Sequence, residues 1–537
     1  MHCAPSKVKP DTDALAIVRI LAAGLVLNAL LVLPAWWRDG IIGSVWFAPE
    51  ALLLPAWVAV ASGRRRSALL RAASGGLLAF VIVAGFFDAL VQSVLGRPLN
   101  VFVDPLMLRA GFHLVDGSFG RWQATLASVL LAVAVIALAW VIFRLLRPQA
   151  LPPGKAAPAI ILASLLLGLP WVAAKLPVIE SQAWRLLVTQ AASLEATRDA
   201  RARILAAADA PEFEPGPLPG LAGRDVYVVF IESYGGSALD RARMAGRVEP
   251  LLRRWTERLG AAGVEAVSGR MKAPIRGGQS WLSHASLLSG LSIDSQVWYE
   301  MLLEKDIGLL SDDFRQTGHV AVNVAPGIVM DWPEGDRLGF DRIYAAADLG
   351  YEGPPLGWVT MPDEYTLHTF SERIRPQQDG PVFAQIALIS SHWPWRPVIE
   401  PLDDHSRIGH GRVYSSSIDE GERPATLLFD PDRMRRAYVR SLAYSLAVTF
   451  DWARRNLPSE ALLIVLGDHQ PVSLVTGREA GSEVPVHVIS GDRDLLAGFI
   501  ERGFVPGLLP VNVDEAPPIT RLRHWLRSDF ATAEHLP

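Results

Sequence analysis

Residues 461–469 read ALLIVLGDH, six apolar residues followed by Gly467, Asp468 and His469. A short, continuous Val/Ile/Leu run suits a strand covered on both faces, as in a mostly parallel sheet. The arrangement recurs. Residues 225–233 read DVYVVFIES, so a second run ends at Glu232, and residues 382–392 read VFAQIALISSH, so a third ends at His392. Further runs lie at His319–Val324 and Val484–Ile489, with helix-like stretches such as Arg247–Gly260 and Met434–Asn456 between them. The alternation predicts an α/β fold with a mostly parallel central sheet flanked by helices. Ligands in open α/β sheets bind beyond the carboxyl ends of the strands. Glu232, His392, Asp468 and His469 therefore converge if their strands are parallel neighbours.

Composition adds a second part. The 537 residues are 50% hydrophobic and only 20% charged, against about 25% charged in ordinary soluble proteins. Mean hydropathy is +0.24, and a membrane component follows. Lys and Arg total 51 against 55 Asp and Glu; 15 basic and 8 acidic residues precede Ser181, leaving 36 and 47 for the rest. An acidic remainder argues against nucleic-acid binding, which needs a basic patch or stripe. Cys3 is the only cysteine, which excludes an intrachain disulfide and a cysteine-rich zinc site.

A bilayer-spanning helix takes roughly 20 mostly apolar residues. Five stretches qualify: Ala14–Trp36, Ser44–Ala61, Ala73–Leu95, Trp122–Phe143 and Ala157–Leu176, the second weakened by Glu50 and Pro55. Glu50 reads as the mark of a kinked or interfacial segment, and Asp88 is a second acid within a span. Lys7 and Lys9, the Arg64–Arg66 cluster with Arg71, and Arg144, Arg147 and Lys155 assign three segments to the cytoplasm by the positive-inside rule. Five spans that start inside end outside. The expected organisation is residues 1–179 as an all-α bundle of five transmembrane helices, 180–224 as an amphipathic helix and Pro/Gly linker, and 225–537 as an extracytoplasmic globular domain.

Two carboxylates and a histidine from separate strands suit one divalent cation, Zn²⁺ or Mn²⁺; the plainer reading of Asp468-His469 is a turn with a surface histidine. Residues 273–290 read APIRGGQSWLSHASLLSG. After the Gly277-Gly278 turn, Ser280 opens a helix, where free backbone N–H groups favour a phosphate oxygen. Its hydroxyl is either a helix cap or a metal-activated nucleophile, and spacing alone leaves the two level. G-x-S-x-G is absent, so no Ser-His-Asp elbow is present.

Glu232 after a first strand, a Gly-preceded hydroxyl opening a helix, Ser391-His392 after a middle strand and Gly467-Asp468-His469 after a late one resemble the alkaline phosphatase/sulfatase superfamily. The branch most resembled is the membrane-anchored group of lipoteichoic acid synthase, osmoregulated periplasmic glucan phosphoglycerol transferases and lipid A phosphoethanolamine transferases. The resemblance implies that Glu232, Asp468 and His469 hold one metal, Mn²⁺ or Zn²⁺, with Ser280 as both nucleophile and fourth ligand, where the group more often has Thr. It implies that His392 contacts the phosphoryl group or the substrate, and that the segment WVTMPDEYTL, with Asp363 and Glu364 as its polar candidates, helps shape the pocket; Arg276 is a further cation that can offset charge on the phosphoryl oxygens. His284, four residues after Ser280, is either a substrate contact or a packed helix histidine. Trp393 and Trp395 read as core.

The implied activity is transfer of a phosphoglycerol or phosphoethanolamine head group from a membrane phospholipid to a periplasmic glycan or glycolipid, at a bacterial inner membrane. Ser280-Trp281-Leu282-Ser283-His284 lacks the Pro and Arg of a formylglycine site, which argues against sulfatase chemistry. The absence of disulfides moves weight from the phosphoethanolamine to the phosphoglycerol branch. Two alternatives stay open: a sulfatase-like hydrolase, phosphodiesterase, phosphatase or sulfatase, using the same site, and a non-catalytic, membrane-tethered glycan-assembly component.

Overall fold

The computed structural model describes residues 12–41, 44–60, 64–106, 112, 116, 120–146, 156–167, 175–176, 178–305, 307–329, 333–354, 356, 359–397, 399–417, 426–427, 430–477 and 479–532. Cys3, Lys7, Lys9, Arg147, Lys155 and Trp358 lie outside them. Two compact units emerge, residues 1–93 with 97–197, and residues 94–96 with 198–537. The helix Gln182–Ala208 contributes to both.

In the first unit, three helices among the described residues are long and apolar enough to cross a membrane: Ile20–Asp39, Ala68–Leu95 and Arg121–Leu145. The second and fifth expected spans appear as helices Glu50–Val60 and Ala156–Leu167, of 11 and 12 described residues. Residues 44–49 of the second expected span are described and lie outside any helix, and residues 168–174 of the fifth are outside the description. Leu27, Leu31, Leu78, Ile82 and Ile142 pack into this unit's core. The helix Arg121–Leu145 leaves Leu130, Leu131, Ile136 and Trp140 exposed, a surface that demands an apolar surrounding. Asp88 is paired, whereas Glu50 is only half satisfied, its Oε2 buried without a partner. Asp88 lies 3.3 Å from Arg38 and 3.2 Å from Arg185, and Glu50 heads its helix and accepts the Ala183 amide at 2.9 Å.

The second unit is built on a sheet of eight strands: β1 (Val226–Ile231), β2 (Glu265–Lys272), β3 (Val320–Ala325), β4 (Arg342–Ala345), β5 (Val382–Leu388), β6 (Leu462–Gly467), β7 (Glu483–Ser490) and β8 (Val505–Pro506). Their order is β4-β3-β5-β1-β6-β7-β2-β8. Side-chain alternation puts Tyr227, Val229 and Ile231 of β1 into one core and Val226, Val228 and Phe230 into another. The first core is closed by the helices Ala242–Ala261 and Pro431–Asn456, the second by Ser280–Ser289 and Arg521–Phe530. The result is three layers. The helix Pro431–Asn456 starts where the sequence dictates: Asp430 caps the amides of Asp432 and Arg433, and Pro431 takes the first helical position.

The expectation of a mostly parallel sheet needs correcting to a mixed one. β4, β3, β5, β1 and β6 are parallel neighbours, but β7 runs antiparallel to β6, as do β2 to β7 and β8 to β2. The Val484–Ile489 run is buried throughout. An unbroken apolar run reports burial of both faces and carries nothing about direction.

Candidate metal centre

β1 lies between β5 and β6, parallel to both, with Ile231 level with Leu388 and Gly467. The chain therefore delivers Glu232, the Ser391-His392 turn and Asp468-His469 to one edge of the sheet. Gly467 is needed there, because a Cβ would run into the Tyr234 carbonyl of the neighbouring turn. That turn is tight in its own right, with Ser233 left-handed at φ 55°, a conformation unfavourable for a residue with a side chain and often kept at functional sites.

Carboxylate oxygens of Glu232 and Asp468 and a ring nitrogen of His469 all lie within 4.8 Å of one another, and all three residues are buried. Nε2 of His469 is 3.5 Å from Glu232 Oε1 and 3.7 Å from Asp468 Oδ2. Its Nδ1 sits 2.8 Å from the Gln470 carbonyl, which only accepts, so Nδ1 donates there and Nε2 is the ring atom turned toward the two carboxylates. Ser280 completes the group: its Oγ is 2.9 Å from Glu232 Oε2 and 3.3 Å from His469 Nε2. The turn before it holds three consecutive positive φ angles, 75°, 142° and 67° at Gly277, Gly278 and Gln279, and so sets Ser280 at the first position of the helix Ser280–Ser289. The Gly277 amide donates to the Gln470 carbonyl at 2.8 Å, tying this turn to the one that carries His469.

The donor set fits a divalent cation. An imidazole nitrogen and two carboxylates converge, with no ion pair to Lys or Arg among the described residues, and two anions buried together repel. Burial opposes charge on Glu232, but the imidazoles of His469 and His392 and the Ser233 hydroxyl outweigh it and hold the carboxyl at about 2. Asp468 gives way instead, pushed well up by burial and by the charge on Glu232. Two oxygens and a nitrogen, with a hydroxyl as fourth neighbour, match the preferences of Zn²⁺ and Mn²⁺.

The remaining candidates are placed less closely. His392 follows β5 and is held by a 2.6 Å contact between its Nδ1 and the Trp393 carbonyl, which turns the lone pair to Nε2. Arg276 is partly buried, with Nε and Nη2 lacking a hydrogen-bond partner. His284 packs its ring 4.0 Å from the centre of Phe230, and its Nε2 is buried without a partner. Burial, with Glu232 acting against it and His469 with it, lowers its pKa to about 3, so it is neutral. Asp363 stands apart from the cluster. Its Oδ1 accepts the amides of Ile389 and Ser390 at 2.8 and 2.9 Å, so it pins the turn leading to His392. Glu364 points elsewhere, to the Leu402 amide and the Tyr414 hydroxyl at 3.1 and 3.0 Å.

Several supporting residues carry no signal of their own in the sequence. The Ser233 hydroxyl donates to Glu232 Oε1 at 2.7 Å, and its amide donates to Asp468 Oδ1 at 2.7 Å. Ser283 donates to the Asp468 carbonyl at 2.5 Å, and Ser391 to the Glu232 carbonyl at 2.6 Å. Ser233 and Ser391 stand beside Glu232 and His392, and adjacency to a strand-end ligand is the one cue that points to them.

In sequence, the chain matches no family model and no curated protein. In structure, it is similar to the lipoteichoic acid synthase LtaP from Listeria monocytogenes, with 13% identity, a TM-score of 0.35, and coverage of 50% of this chain and 66% of that one, just under two thirds. It is similar to the zinc complex of the C-terminal periplasmic domain of EcEptC from Escherichia coli (14% identity, TM-score 0.37, coverage 59% and 86%). It is also similar to the Streptococcus pyogenes phosphoglycerol transferase GacH bound to sn-glycerol-1-phosphate (14% identity, TM-score 0.36, coverage 63% and 92%).

Proposed function

We propose that the chain is a metal-dependent transferase of the bacterial inner membrane, with its globular domain outside the cytoplasm. It moves a phosphoglycerol or phosphoethanolamine head group from a membrane phospholipid to a hydroxyl of a cell-envelope glycan or glycolipid. The observation that carries this reading is the position of Ser280, within 3.3 Å of two of the three residues that would hold the cation, Glu232 and His469. Glu232, Asp468 and His469 would bind one Mn²⁺ or Zn²⁺. Such an ion supplies positive charge that favours the alkoxide of a neighbouring hydroxyl and offsets charge on phosphoryl oxygens.

Ser280 Oγ forms the new bond to phosphorus as the bond to the diacylglycerol oxygen breaks. The serine proton ends on diacylglycerol, and a phosphodiester remains on Ser280. An acceptor hydroxyl then attacks phosphorus, and its proton returns to Ser280, so no further co-reactant is consumed. His392 and Arg276 contact the phosphoryl oxygens and hold them in line for both displacements. The apolar helices keep the site beside its lipid donor, which raises the donor's effective concentration.

The test uses full-length protein in vesicles whose phospholipid head group is labelled. The reading expects label on added glycan, abolished by Ser280→Ala. Label released only as free head group would assign the chain to the hydrolases. Transfer undiminished in Ser280→Ala would overturn the role of Ser280.

A further inference from the structure

The helices Ala242–Ala261 and Pro431–Asn456 pack against each other and enclose a groove of about 610 Å³. Arg243 and Arg247 line one side, and Arg435, Arg436 and Arg440 the other. Arg243 and Arg247 are one turn apart, as are Arg436 and Arg440, with Arg435 beside Arg436, so each wall presents guanidinium groups over about 6–8 Å of helix axis. Their neutralisation is incomplete. Asp432 serves both Arg243, at 2.7 Å, and Arg435, at 3.0 Å, and Glu400 serves Arg440 at 3.1 Å. Arg247 and Arg436 have no ion-pair partner among the described residues. This concentration of positive charge stands on a part of the chain whose overall charge is acidic.

The floor is apolar and connected to the metal centre. Trp395 lines it; its indole N–H donates to the Ser391 carbonyl at 2.8 Å and its amide to the His392 carbonyl at 3.0 Å. Tyr438, 5.8 Å from Trp395 between ring centres, donates to the Ser233 carbonyl at 2.8 Å. The groove thus shares a wall with the turns that carry Glu232 and His392.

We propose that this groove binds the transfer acceptor, and that the acceptor is a saccharide chain carrying phosphate groups on more than one unit. Guanidinium forks match phosphate oxygens in pairs. Arginines repeated along both walls match repeated anions, whereas a single lipid head group offers one phosphate. The volume is in the range of sites that enclose an oligomer of a few units. The identification of the ligand as acceptor rests on the transfer reading above; the binding itself does not.

Full-length protein in neutral nanodiscs, loaded with Mn²⁺, is titrated with maltotetraose phosphorylated on two or more units, with unmodified maltotetraose, and with dihexanoyl phosphatidylglycerol. The phosphorylated saccharide is expected to bind and the neutral one not. Arg247→Glu/Arg436→Glu is expected to weaken binding by about tenfold or more, as loss of charge-assisted hydrogen bonds implies, and Arg247→Gln/Arg436→Gln by less. Both side chains are exposed, and an unchanged melting temperature verifies that the variants fold. Ser280→Ala is expected to bind the phosphorylated saccharide normally while losing transfer. Equal affinity in the charge-reversed variant, or equal binding of the neutral saccharide, would overturn the proposal. So would an effect confined to phosphatidylglycerol, which would mark a lipid-facing surface. Failure of transfer with binding intact would count against the catalytic reading and leave the groove standing.

Discussion

Asp468 spends one oxygen on the backbone: Oδ1 accepts from the amides of Ser233 and His469, both at 2.7 Å, while Oδ2 faces His469 Nε2. The residue is therefore oriented before any cation arrives. Asp468→Asn keeps the shape and removes the charge, and it is expected to lower head-group transfer by about 100-fold or more together with metal content, read by elemental analysis of the purified protein. Full metal occupancy with full activity would remove Asp468 from the ligand set. Glu232, Asp468 and His469 were legible in the sequence because each follows an apolar run immediately, and a strand end fixes where the next residue points. Ser280 was legible as a position but not as a role, since capping and nucleophilic serines occupy the same place at a helix start. Asp363 was legible as a polar candidate but not in its contacts: a carboxylate that accepts backbone amides and one that faces a pocket look alike in a string of letters.

The elements that carry these residues are held by buried polar contacts, and those respond to substitution and pH. Asp363→Ala strands the Ile389 and Ser390 amides and is expected to cost about 1–3 kcal/mol in denaturant unfolding, with transfer reduced because His392 loses its support. In the antiparallel half of the sheet, His487 of β7 sits between the Tyr234 hydroxyl at 3.1 Å and the Ser268 hydroxyl at 2.7 Å. Ser268 donates to the Gly507 carbonyl at 2.6 Å, so His487 donates to Ser268 through Nδ1 and accepts from Tyr234 at Nε2. Burial lowers its pKa from 6.5 to about 3. A histidine depressed in the folded state contributes stability that is complete above its unfolded value and is lost as pH falls through the folded one. The second unit is expected to lose on the order of 4 kcal/mol from this group between pH 6.5 and 3. His487→Gln should flatten that part of the stability profile, and identical profiles would refute the assignment. β2 escaped the sequence reading because Ser268 and Arg270 interrupt its apolar pattern; both are buried and paired, Arg270 with Asp240 at 2.7 Å. Such pairing depends on residues distant in sequence and leaves no local trace.

For the whole molecule, the division into an apolar front and a globular remainder follows from hydropathy alone, and three helices of 20, 28 and 25 residues bear it out. Strand direction in the β7-β2-β8 half was not legible, because burial does not encode it. The chain is expected to stay in the membrane pellet after an alkaline carbonate wash and to need detergent for release; recovery in the supernatant would contradict the reading of those helices. In a Cys3→Ser background, a cysteine placed at Thr532 is expected to react with a membrane-impermeant thiol reagent on intact spheroplasts. Protection until lysis would reverse the topology. The proposed transfer needs both parts, since a serine at a metal centre would act on a lipid that a membrane-held site meets at high concentration. The most direct test is mass spectrometry of the full-length protein incubated with Mn²⁺ and phospholipid. A head-group phosphodiester is expected on the peptide containing Ser280 and is expected to be absent from Asp468→Asn; an adduct on any other residue, or one formed equally in Ser280→Ala, would overturn the role of Ser280.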